Sequence, residues 1–179
     1  MFGKTIYKHL WSIFPFLILI SLVHWQLKFS LIFFWLGVII GTFLLHLDQA
    51  IYCFFQSSHE FSSQRIKRLW EQKDYRGAVT FLLETQEERE KLVFHSVLFQ
   101  FVLLVASFFV LTSSASLLGK GVVMGLFLQS LIEQGRQLHS KGEINNWFWQ
   151  LRAIPAPRIQ VFYFLLLVLV FILLVVFLV

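Results

Sequence analysis

The chain has 179 residues, 58% of them hydrophobic, 18% aromatic and only 14% charged, with a net charge of +5 and a mean hydropathy of +0.73. That leaves too little polar cover for a water-soluble domain of this length and points to an all-α integral membrane protein. The basic balance would suit nucleic acid only on a solvated basic face, so no nucleic-acid partner is expected, and the single cysteine, Cys53, cannot close an internal disulfide.

About five apolar segments approach the length that crosses a bilayer at about 1.5 Å per residue. The first, near residues 10–25, follows Lys4 and Lys8 as a signal peptide would. No small-residue cleavage site comes after it, so it is expected to be retained. The second runs from about residue 29 to 55 and is long enough to tilt or to project beyond the membrane. Residues 1–60 therefore read as a first membrane hairpin.

Residues 61–91 read as a cytoplasmic hairpin of two short amphipathic helices. Ile66, Leu69 and Trp70 stripe the first and Ala78, Val79, Leu82 and Leu83 the second, with Asp74 as N-cap between them. The first helix is basic, and Glu84, Glu87, Glu88 and Glu90 gather in the second. A second membrane hairpin, 92–134, contains spans at about 93–112 and 115–132, the latter holding Lys120. A cytoplasmic or interfacial segment, 135–158, carries Trp147, Phe148 and Trp149, rings suited to anchoring at the headgroups. The last span, 159–179, has no Gly, Ala, Ser or charge from Val161 onward, and the expectation is a lipid-facing anchor without a packing face.

Orientation follows from the cations. With the N-terminus cytoplasmic, all of the 15 Lys and Arg except Lys28 and Lys120 fall on that side. Such asymmetry over short loops is the positive-inside pattern, and five spans carry the C-terminus to the opposite face.

The chain also resembles itself. GVIIGTFLLHL, residues 37–47, matches GVVMGLFLQSL, residues 121–131, at an offset of 84, and Asp48-Gln49 then answers Glu133-Gln134 after a one-residue slip. The reading is two parallel-repeat hairpins about an axis along the membrane normal, plus the C-terminal helix. Each inner helix carries a GxxxG, Gly37 with Gly41 and Gly121 with Gly125, small residues that let two backbones approach. The second and fourth spans are expected to cross there.

At about 100° per residue, Asp48 lies about 20° from both Gly37 and Gly41 and faces inward, while His46 diverges by about 180°. Tyr52 follows one turn on, and in the second repeat Glu133 takes the acid's place with Gln129 a turn before it. An inward acid suggests either a cation or proton site, coupled to His59 and His139, or an interfacial acid paired with a loop cation such as Arg136. No Walker loop, GxSxG, HExxH or cysteine pair is present, and neither a metal nor a cofactor is expected. The leading expectation is a non-enzymatic scaffold or assembly subunit of a membrane complex, with a protein partner or second copy engaged through spans and cytoplasmic hairpin. A small transporter, channel or channel subunit using Asp48 and Glu133 is the alternative, and a membrane-embedded enzyme the third.

Overall fold

A computed structural model describes residues 31–56, 59–85, 92–113 and 116–178, and these are helical with no strand among them. Helix α1, Leu31–Ile51, ends in a π-helical turn, Tyr52–Gln56. Helices α2, Phe61–Glu71, and α3, Tyr75–Glu84, follow. Then come α4, Val97–Ser113, and α5, Leu117–Lys141, a 3₁₀ turn at Asn145–Phe148, and α6, Pro157–Leu178.

Local chemistry explains the boundaries. Asp74 caps α3, its Oδ1 accepting from the Gly77 amide at 3.0 Å, and Ser116 caps α5 through the Gly119 amide at 3.3 Å. Gly142 ends α5 at φ 72, the left-handed conformation in which its amide reaches Leu138 O at 3.0 Å. Pro157 opens α6, where a missing N–H costs nothing.

Helices α1 and α5 run parallel and nearly in backbone contact. A Cβ added to Gly37 would lie 2.3 Å from Leu118 O, and one on Gly41 only 2.1 Å from Val122 O. Conversely, a Cβ on Gly121 would meet Phe34 O at 2.2 Å, and one on Gly125 Val38 O at 2.3 Å. Each contact maps onto its counterpart by exchanging the helices at the constant offset of 84, which is local twofold geometry about an axis between them. Only hydrogen at these four positions permits the approach.

Helix α4 turns back along α5, and α6 lies on both. Phe127 and Phe171 meet at a ring separation of 5.6 Å in a core with Leu45, Leu103, Met124 and Leu131. Here α6 departs from expectation: Gln160, Leu167, Phe171 and Leu174 are buried, with Tyr163 and Phe164 half-buried. This is an i, i+3, i+4, i+7 face made of large rather than small residues.

The expected span near residues 10–25 lies outside the described residues. Two described helices are long and apolar enough to cross a bilayer, Ile32–Phe54 and Pro157–Val176. Val97–Ser113 is apolar but shorter, and the expected span near 115–132 belongs to a 25-residue helix that continues through Glu133, Gln134, Arg136 and Gln137. These polar residues are good helix formers, so loss of apolarity does not end the helix.

The exterior differs from that of a water-soluble bundle. Phe101, Phe109, Phe162 and Val176 are more than 60% exposed, while Gln100, Ser107, Gln129, Ser130 and Gln134 have no exposure. Apolar side chains thus cover much of the exterior, while amides and hydroxyls are buried alongside the apolar core.

Candidate functional site

Most of the buried polar groups gather at one end of the bundle, where α1 and α5 finish and α4 and α6 begin. Asp48 is 1% exposed. Its Oδ2 accepts from the Phe94 amide at 2.6 Å and stands 3.3 Å from His95 Nδ1. Phe94 lies three residues before α4, so the acid meets the start of that helix, where a negative charge is favourable. The His95 ring rests 5.1 Å from Trp147, whose Nε1–H donates to Gln137 Oε1 at 3.0 Å. One chain of contacts thus joins α1, the segment before α4, the 3₁₀ turn and α5.

A second chain joins α4, α5 and α6. Tyr163 donates to Gln100 Oε1, and Gln100 Nε2 donates to Ser130 Oγ at 2.7 Å. Lower on α6, Gln160 accepts from the Ile144 amide at 2.7 Å. Its Nε2 donates to Asn145 Oδ1 at 2.7 Å and Pro155 O at 2.9 Å, closing the 3₁₀ loop over the bundle. These amides saturate backbone and side-chain groups that would otherwise be buried unpaired.

The expected polar residues are therefore inward, but they do not form one site. Glu133, 4% exposed, pairs with Arg136 three residues along the same helix. Tyr52 is buried and donates to Glu60 Oε1 at 2.7 Å. Because α1 and α5 are continuous helices at these positions, they have no room for the one-residue slip. Gln49 is the counterpart of Glu133 at the offset of 84, and Asp48 corresponds to Ile132. The two acids are consequently unlike in position and partner. Gln129 is fully buried in the same stretch of α5, and Gln134, also fully buried, meets no hydrogen-bond partner among the described residues.

Trp147 and Phe148 differ from the interfacial anchors expected of them. They are 0% and 4% exposed and form a small core with Ile144, half-covered by Leu138 and Tyr163. Trp149 is half-buried, its Nε1–H bound to Leu92 O at 3.1 Å. The Trp147 indole holds the 3₁₀ turn to α5, and the Trp149 indole ties the end of that turn to the segment before α4. A lone histidine such as His95 in an apolar stretch reads from the sequence as an internal hydrogen-bond partner, whereas Gln100, Gln160 and Tyr163 drew no expectation. The available signal was that each is a polar residue in an otherwise apolar stretch, where an unpartnered group is costly. No protein family matches the chain, and neither a characterised protein nor a solved structure is similar to it.

Proposed function

We propose that the chain is a multi-pass integral membrane protein without a catalytic role, a scaffold or assembly subunit of a membrane complex. The observation that carries this is the engagement of the inward acids. Asp48 is closed off by the Phe94 amide and His95, which ties α1 to the segment before α4, and Glu133 is paired with Arg136 within α5, so each inward carboxyl group already has an internal partner. The apolar exterior over α1, α4 and α6 supports a lipid surrounding, since water-soluble monomers rarely expose patches of this extent. The charge asymmetry supports a cytoplasmic N-terminus and a C-terminus on the opposite side. The reciprocal glycine contacts support a duplicated hairpin as the origin of the α1–α5 pair.

Its partners are the bilayer and either another protein or a second copy, received through the outer helix faces and the α2–α3 hairpin. A small transporter or channel subunit is the competing reading, and Gln134, buried without a described partner, is the observation in its favour. Purification in mild detergent with light scattering and mass spectrometry tests the proposal. A stable stoichiometric assembly is expected, and a monodisperse single chain would overturn it.

A further inference from the structure

Helix α2 and the turn into α3 carry cations that meet no ion-pair partner among the described residues. Between residues 60 and 76 stand Arg65, Lys67, Arg68, Lys73 and Arg76, against the acids Glu60, Glu71 and Asp74. Glu60 accepts from the Tyr52 hydroxyl at 2.7 Å and Asp74 from the Gly77 amide at 3.0 Å, neutral donors that leave both carboxylates charged, so five cations against three acids give this stretch a net charge of +2. None of the five cations forms an ion pair with another described residue, and Arg65 lies over the Phe81 ring at 4.8 Å.

Aromatic surface accompanies the charge. Phe61 is 80% exposed, Tyr75 50% and Trp70 48%. At about 100° per residue, Arg65 and Arg68 lie within about 40° of Phe61 on one face of α2, and cations beside an exposed ring form the surface that settles at the headgroup boundary of an anionic leaflet. Position agrees with this, because Ile66 of α2 shares one cluster with Tyr52 and Cys53 at the end of α1. The hairpin therefore begins where the membrane-length helix stops.

We propose that this basic, aromatic hairpin docks on anionic phospholipid headgroups beside the end of α1. The proposal rests on the membrane reading above and adds to it a lipid class and a named surface. An acidic protein is the other occupant such charge could attract, but it gives no reason for rings exposed at the depth where the helix leaves the bilayer.

The test places an environment-sensitive fluorophore on the full-length protein at Gln64→Cys, on the exposed side of α2 beside Phe61 and Arg68. A separate protein carries it at Leu165→Cys, on the outer face of α6. Cys53 is fully buried and does not compete for label in the folded protein. Both are reconstituted in nanodiscs of phosphatidylcholine and in nanodiscs containing about one-third phosphatidylglycerol. The Gln64 probe is expected to shift to the blue in the anionic discs. The shift should reverse in high salt and disappear when Arg65, Lys67 and Arg68 are changed to Gln. The Leu165 probe should report an apolar surrounding in both lipids. Equal emission from the Gln64 probe in the two discs overturns the docking proposal, and an acidic protein then becomes the occupant to seek. A water-like Leu165 probe instead overturns the membrane reading beneath it.

Discussion

Gly41→Leu is expected to abolish the α1–α5 pairing, so that the protein aggregates or unfolds in detergent that keeps the parent monodisperse. The obstruction is backbone: an added Cβ would lie 2.1 Å from Val122 O and 2.8 Å from Leu126 N, and neither atom can rotate aside. Adding even a methylene to a packed interior costs about 1–3 kcal/mol, so the larger isobutyl group must force the helices apart. Gly125→Leu should act alike, because its Cβ would lie 2.3 Å from Val38 O across the same crossing. Gly142→Leu is the informative contrast. Nothing lies within 4 Å of a Cβ there, but φ is 72, so the cost is backbone strain of about 1–2 kcal/mol and the fold survives. Thermal unfolding and size-exclusion profiles of the three variants measure the difference, and equal tolerance would refute the close crossing.

Asp48→Ala should be the most damaging substitution among the polar residues. It leaves the Phe94 amide without its acceptor and removes the His95 partner, where Asp48 and His95 are 1% and 6% exposed. Together these predict a loss of about 2–5 kcal/mol. Asp48→Asn keeps an acceptor for the amide and should cost less. A double-mutant cycle with His95→Ala isolates the direct pair, and a coupling of about 0.5–3 kcal/mol is expected between groups in contact. Full additivity would mean that His95 does not hold Asp48.

Several features of this architecture were readable before any coordinates. Two GxxxG motifs at equal spacing pointed to the α1–α5 crossing, Asp74 to the turn between α2 and α3, and a helical projection to the inward direction of Asp48. Each depends on local periodicity or on a residue with one strong stereochemical use. The partners of Asp48 were not readable, since His95 is 47 residues away and only the tertiary path of the 92–96 segment brings it close. The face of α6 was hidden for another reason: in a helix apolar on every side, a packing stripe of Leu and Phe has no contrast with the lipid-facing remainder. Trp147 and Phe148 misled because an aromatic cluster beside prolines suits a headgroup belt and a buried loop plug equally. The apparent equivalence of Asp48 and Glu133 came from aligning letters across a slip that two unbroken helices do not contain.

The claim that the inward acids are internal fasteners, with no transported ion, is tested most directly by one paired measurement. Parent protein, Asp48→Asn and Glu133→Gln are reconstituted in liposomes loaded with pH- and cation-sensitive dyes, and the thermal stability of the same preparations is recorded. The account predicts no flux above that of empty liposomes for any of the three, with Asp48→Asn less stable than the parent and Glu133→Gln little changed, since the Arg136 side chain beside Glu133 is half-exposed and such pairs contribute about 0–1 kcal/mol. Proton or cation flux through the parent that disappears in Asp48→Asn, at unchanged stability, would contradict it.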